Sequence, residues 1–267
     1  MNRIETAFQH KPIFMPYFPL GFPSLEISLD VIEALARNGA DLIEVGLSFS
    51  DPLADGPVVQ RATQTALENG ITVKKSLEAV AELRRRGVMI PLVLMGYYNP
   101  MLAYGLKPFI DAARVAGADG FIIPDLPPEE AEAFKIASRD KPLTGADLPL
   151  ISMLAPTTPP DRMELIASTS QGFIYLVSVT GVTGVRKDVT EGLGDLVNRV
   201  RQKSSLPVCV GFGIGTPQQA AAVGALADGV IVGSACVRAI GESPSPVQAA
   251  EEFAASYHAA LVQVKSR

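Results

Sequence analysis

Gly39-Ala40-Asp41-Leu42-Ile43-Glu44-Val45-Gly46 reads as a helix-ending turn that feeds a short apolar strand, and the chain repeats the phrase. Gly117-Ala118-Asp119 stands before Gly120-Phe121-Ile122-Ile123, and Ala227-Asp228 stands before Gly229-Val230-Ile231-Val232. Outward from these, eight apolar runs lie at 13–18, 42–45, 92–95, 120–123, 150–153, 173–177, 208–210 and 229–232. Several are apolar at consecutive positions rather than alternate ones, as strands covered on both faces are.

Helix signals fill the gaps. Ser24 can cap a helix whose apolar face is Leu25, Leu29, Ile32 and Leu35. Another helix reaches Leu83-Arg84-Arg85-Arg86 and stops at Gly87, with basic residues in its last turn and glycine just beyond. Pro128-Glu129-Glu130, Pro160-Asp161 and Thr216-Pro217 read as helix starts. Eight strands alternating with helices predict an α/β fold, a parallel sheet closed into a (β/α)8 TIM barrel. No linker or low-complexity tract divides the 267 residues, so one domain over 1–267 is expected. An extra N-terminal helix around Ile4–Phe8 should plug the barrel floor, and a helix over 246–264 should close the chain. Residues 141–147, rich in Pro and Gly, should join a helix to a strand at the floor, where no chemistry is expected.

Composition removes several classes of function. A net charge of −5, spread along the chain, argues against a nucleic-acid or anionic-membrane binder. Cys209 and Cys236 sit in apolar stretches without Cys-x-x-Cys spacing, so buried thiols are expected rather than a disulfide or a zinc site. The N-terminus lacks the apolar core of a signal peptide, and no apolar run approaches the ~18 residues of a membrane span. A cytoplasmic protein is the expectation.

Barrel enzymes build their sites from the loops after the strands' C-terminal ends. The second strand carries Glu44 inside an apolar run, where a carboxylate must be paired, protonated or facing the mouth. It is either a structural acid with a basic or hydroxyl partner or an acid–base group whose pKa is raised by apolar walls. Asp55 follows eleven residues later, on a loop long enough to fold back over the mouth. Taken alone, its Asp-Gly-Pro context is an ordinary turn. Two later loops supply glycines: Gly211-Phe212-Gly213-Ile214-Gly215 before Thr216-Pro217, and Gly233-Ser234 before the last strand's helix. Glycines there either make tight turns or let backbone amides approach a phosphate at a helix start. After the sixth strand, Ser178-Val179-Thr180-Gly181-Val182-Thr183-Gly184-Val185-Arg186 has the small residues of a closing lid, and Gly184 could add an amide to the phosphate site.

Absences narrow the reaction. No lysine ends the sixth strand, which leaves a Schiff-base aldolase unsupported. The two histidines, His10 and His258, fall in terminal helices, away from where metal ligands would be needed. Acid–base chemistry by carboxylates on a phosphorylated substrate remains.

These residues resemble the tryptophan synthase alpha-chain family. The resemblance rests on Leu42-Ile43-Glu44-Val45-Gly46 with Phe49-Ser50-Asp51-Pro52-Leu53-Ala54-Asp55-Gly56-Pro57. It continues through Tyr97-Tyr98-Asn99-Pro100, Ile123-Pro124-Asp125-Leu126-Pro127, Gly181-Val182-Thr183-Gly184, Gly211-Phe212-Gly213-Ile214 and Gly233-Ser234, and spans essentially the whole chain. Leu47-Ser48 stands where the family usually has Ile-Pro. The resemblance implies a lyase that cleaves indole-3-glycerol phosphate to indole and glyceraldehyde 3-phosphate, with Glu44 and Asp55 as the catalytic pair. It implies that Tyr17, Tyr97, Tyr175 and Phe212 shape the indole pocket and that Thr183 belongs to a mobile loop. Gly184, Gly213, Gly233 and Ser234 would bind phosphate. It also implies an α2β2 complex with a pyridoxal-phosphate beta subunit, for which Asp51, Pro52, Asn99 and Asp125 are candidate contacts. No cofactor or metal is expected on this chain. A lyase that works without a partner and a non-catalytic scaffold that activates the beta subunit are the alternative readings.

Overall fold

The computed structural model describes residues 2–139, 148–177, 190, 192–211 and 213–265. Eight strands, β1 (Ile13–Pro19), β2 (Ile43–Gly46), β3 (Leu92–Met95), β4 (Gly120–Ile122), β5 (Leu150–Leu154), β6 (Ile174–Val177), β7 (Val208–Gly211) and β8 (Gly229–Val232), pair in sequence order. All pairs are parallel, and β8 returns to β1 to close the barrel. The helices are α1 (Arg3–Ala7), α2 (Leu25–Arg37), α3 (Pro57–Glu68), α4 (Val73–Arg85), α5 (Tyr98–Tyr104) and α6 (Leu106–Ala116) in the first half. In the second half they are α7 (Glu132–Arg139), α8 (Pro160–Thr169), α9 (Leu193–Arg201), α10 (Pro217–Gly224), α11 (Ser234–Gly241) and α12 (Pro246–Lys265). Every strand run expected from the sequence falls within one or two residues of an observed strand.

The helix signals work as their chemistry dictates. Ser24 Oγ accepts the Ile27 N–H at 3.2 Å to start α2, and Thr216 Oγ1 does the same for Gln219 at 3.2 Å in α10. Pro160 and Pro217 occupy first-turn positions, where a missing N–H costs nothing. One expected start is displaced: α7 begins at Glu132, not at Pro128-Glu129-Glu130. The intervening residues form turns instead, with Glu130 N–H bonded to Pro127 O at 3.0 Å and Ala131 N–H to Pro128 O at 3.4 Å.

The repeated Gly-Ala-Asp phrase has a structural cause. Each aspartate sits at the foot of its strand and bonds the neighbouring strand twice. Asp41 donates its own N–H to Phe14 O at 2.9 Å and accepts the Phe14 N–H at 2.8 Å on Oδ2. Asp119 repeats this with Leu92 at 2.9 and 2.8 Å, and Asp228 with Val208 at 2.8 and 3.0 Å. These carboxylates satisfy strand amides that would otherwise begin the parallel ladder unpaired.

The N-terminal segment crosses that floor. Ile4 and Phe8 are buried, and the Phe8 ring lies 5.8 Å from Phe173. Arg3 bonds Asp119 at 3.0 Å and Lys11 bonds Asp228 at 2.8 Å, so an ion pair fastens each end. At the chain's other end α12 packs on α2, α10 and α11. Its Tyr257 stacks on Phe14 at 5.3 Å and on Phe253 at 4.4 Å. Cys209 and Cys236 are both buried free thiols. Among the described residues no helix is long and apolar enough to cross a membrane. The floor connector at 141–147 lies outside the described residues.

Candidate active site

All four residues of β2 are buried, and Glu44 is only 1% exposed. Its strand neighbours are Tyr17 on β1 and Val93 on β3. Among the described residues Glu44 Oε1 has no hydrogen-bond partner. Burial, followed by the nearby charge of Asp55, pushes its pKa from the ordinary 4.5 up to about 8. Both influences favour the neutral acid.

Asp55 is delivered by the loop after β2. A tight turn, closed by Leu53 N–H to Asp51 O at 3.0 Å and Asp55 N–H to Pro52 O at 3.0 Å, folds the chain back before Pro57 opens α3. Tyr97 holds the returning loop at two points. Its hydroxyl accepts the Ala54 N–H at 2.9 Å and donates to Asp55 Oδ2 at 3.1 Å. Burial raises the Asp55 pKa to about 6, while the Tyr97 hydrogen bond pulls it down. The Phe49 ring braces Tyr97 at 5.6 Å.

Tyr17 and Tyr175 complete a cluster with these acids. Both are buried, and burial raises both hydroxyls far above the ordinary range. Asp55 and then Glu44 add to the shift on Tyr17, and Glu44 and then Asp55 to that on Tyr175. Each phenol occupies space that a glycine leaves open: a Cβ on Gly46 would lie 2.7 Å from Tyr17 Cζ, and one on Gly211 would lie 2.8 Å from Tyr175 Cζ. Buried Thr63 on α3 lies near the Tyr17 hydroxyl and offsets part of its shift. The sequence reading missed Thr63, because one threonine among the small residues of a helix face carries no signal of its own.

Beside the acids, a cavity of about 390 Å³ is walled by Ile123, Leu126, Ser152, Leu154 and Val177 and reaches Ala54. Glu44 and Asp55 do not line it; the cavity ends one residue short of Asp55. Around the barrel, Gly213 has a left-handed φ of 79°, and Gly233 precedes α11 without a side-chain cap. Here α10 and α11 differ. Thr216 closes the first turn of α10 and Gly215 N–H bonds Gln219 Oε1 at 2.8 Å, whereas no side chain caps the start of α11 at Ser234. That leaves the α11 start better suited to an anion. Thr183, Gly184 and Phe212, with the lid expected at 178–186, lie outside the described residues. Among the described residues no group of three or more His, Cys, Asp and Glu could hold a metal ion.

Asp51, Asn99 and Asp125 are exposed on loops and first turns following β2, β3 and β4, with Pro52 half-buried between them and Leu53 89% exposed. Asp125 has a further role that the sequence reading did not assign. Both its carboxylate oxygens lie within reach of the Tyr98 N–H, at 3.0 and 3.3 Å.

The family model described as "Tryptophan synthase alpha chain" matches residues 5–265. The chain is 49% identical to the tryptophan synthase alpha chain of Chloroflexus aggregans over 243 residues, covering 89% of each chain. It is 45% identical to that of Dehalococcoides mccartyi, covering 92% of this chain and 94% of the relative. Among solved structures, the tryptophan synthase subunit alpha of Legionella pneumophila superposes with a TM-score of 0.89 at 36% identity, covering 98% of this chain and 99% of that one. A chain of tryptophan synthase from M. tuberculosis, in its aminoacrylate-bound form, superposes with a TM-score of 0.86 at 34% identity, covering 98% of this chain and 100% of that one.

Proposed function

The chain belongs to the tryptophan synthase alpha-chain family, whose reaction cleaves indole-3-glycerol phosphate to indole and glyceraldehyde 3-phosphate, and we propose that Glu44 and Asp55 carry that reaction here. The step is a retro-aldol cleavage. Indole leaves with the bonding electron pair only after its C3 is protonated; the C3 to side-chain bond then breaks as the adjacent hydroxyl loses its proton and becomes the aldehyde. One proton is gained and one is lost, so positioned acid–base groups suffice to balance it.

One observation carries the assignment: two carboxyls share a buried cluster, with pKa values of about 8 and about 6. At neutral pH Glu44 is a proton donor, suited to C3 and able to take up the hydroxyl proton. Asp55 is a carboxylate, suited to accept the indole N–H and to stabilise the positive charge that develops on the ring. Environments that push two acids apart in this way are how barrel and non-barrel enzymes alike divide proton transfer. Tyr17, Tyr97 and Tyr175 would bound the indole, with Phe212 and Thr183 expected to complete the pocket. Gly184, Gly213, Gly233 and Ser234 would hold the phosphate, a role the uncapped start of α11 supports for the last two.

Family membership brings a beta subunit as partner, with structural neighbours drawn from whole tryptophan synthase. The exposed Asp51, Leu53, Asn99 and Asp125 and the half-buried Pro52 at the mouth would face it. A single domain over 1–267 and a cytoplasmic setting are the readings that the closed barrel and the biosynthetic family support. The test is indole release from indole-3-glycerol phosphate by the purified chain, with and without beta subunit. Slow release alone and faster release with the partner is the expected result. No release under either condition would reject the lyase reading for this chain.

A further inference from the structure

Asp125 lies on the loop after β4, outside the buried cluster, yet its hydrogen bonds lead to it. The carboxylate takes the Tyr98 N–H at 3.0 Å on Oδ1 and 3.3 Å on Oδ2. Tyr98 is the first residue of α5, and the residue at the cap position, Tyr97, offers its own helix no side-chain cap. A carboxylate from the next loop therefore performs the capping that a helix start requires. Tyr97 is the residue whose hydroxyl accepts Ala54 N–H at 2.9 Å and donates to Asp55 at 3.1 Å. Its backbone lies immediately before the capped amide, so the cap fixes where the phenol starts and hence where Asp55 is held.

We propose that Asp125 is a positioning residue for the cleavage, acting through the first turn of α5 and Tyr97 to hold Asp55 at the mouth. The proposal rests on the reading of Asp55 as catalytic. It differs from a plain partner contact, because the hydrogen-bonded path lies wholly within this chain. A misplacement of an ångström in a site of this kind costs up to about 10²-fold in rate, so the cap's effect on turnover is measurable without any partner.

Asp125→Ala removes the cap; Asp125→Asn keeps an oxygen acceptor and loses the charge. The isolated chain is assayed for indole release across pH, with Asp55→Asn and Tyr97→Phe as references. Among the described residues the groups facing Asp55 are Glu44 on β2, Tyr17 on β1, Tyr175 on β6 and Tyr97 before α5. Only Tyr97 donates a hydrogen bond to its carboxylate among the described residues. Loss of that donor raises the pH at which Asp55 ionises, so the acidic limb of kcat moves upward. Asp125→Ala is expected to lower kcat about tenfold with KM within about twofold, and Asp125→Asn to recover most of the loss. Tyr97→Phe with Asp125→Ala should lose little more than Tyr97→Phe alone, because both act on one hydrogen bond. Unchanged kcat and pH profile in Asp125→Ala, with only a higher beta-subunit concentration needed for activation, would overturn the proposal and leave Asp125 as a partner contact. Wild-type activity in Asp55→Asn would instead remove the reading beneath it.

Discussion

At the barrel floor Asp228 accepts Lys11 Nζ at 2.8 Å, Arg201 at 3.1 Å and the Val208 N–H at 3.0 Å; at the mouth Glu44 Oε1 accepts nothing from the described residues. Both side chains are largely out of water, and burial pushes both pKa values up. On Asp228 the hydrogen bonds from Lys11, Val208 N–H and Arg201 outweigh burial, and its carboxyl ends below the ordinary range. On Glu44 no cation among the described residues answers, and the neighbouring Asp55 adds to the shift. The difference is one of partners rather than burial. Among the described residues, the acids fastened by cations at one end are held ionised, while those without cations at the other stay able to exchange protons.

The largest test of that contrast is loss of the mouth acids. Glu44→Gln and Asp55→Asn should each lower kcat by about 10²–10⁴ while leaving the fold intact, measured by steady-state kinetics with ligand titration. Near-wild-type turnover in both would break the comparison. The second test is stability against pH. Glu44 has a folded pKa above its unfolded value, so the penalty for burying it grows as pH rises from about 4.5 to about 8 and then levels. Glu44→Gln lacks the penalty and should gain on the parent across that window by roughly 3–5 kcal/mol, read from urea unfolding at each pH.

The floor should respond in the opposite manner. Asp228→Ala orphans a buried strand amide and two half-exposed cations, and should cost about 2 kcal/mol of stability while kcat per folded molecule stays unchanged. A fall in kcat without a fall in stability would place chemistry at the wrong end. The smallest effect belongs to the tyrosine packing. Gly46→Ala forces a methyl to 2.7 Å from Tyr17 Cζ and should lower kcat/KM about tenfold by displacing the phenol beside Glu44, with partial recovery in Tyr17→Phe.

The floor was readable in outline because its signals are local. Gly-Ala-Asp before a strand is a turn followed by a carboxylate, and the strands after it are apolar runs bounded by that turn. What the repeated aspartate does could not be read, since its partner amide lies on another strand, 27 residues away for Asp41 and Asp119. Glu44 stood out because an acid in an apolar strand violates its surroundings. The fates allowed to it by sequence narrowed only when the barrel brought Asp55 beside it and, among the described residues, no cation. Asp125 was read as a partner contact because it follows a strand end on the mouth face, whereas a hydrogen bond to the start of α5 depends on two loops meeting. The α7 start was misplaced for a related reason: two adjacent prolines can open a helix or hold a turn, and Pro127 and Pro128 here accept turn hydrogen bonds.

The protonation of Glu44 can be read directly. Infrared difference spectra between the parent and Glu44→Gln, recorded from pH 5 to pH 9, isolate the carbonyl band of its neutral carboxyl. The band should persist at neutral pH and fade near pH 8. Its disappearance by pH 5 would mean that Glu44 is an ordinary carboxylate, and the mouth would differ from the floor in nothing but position.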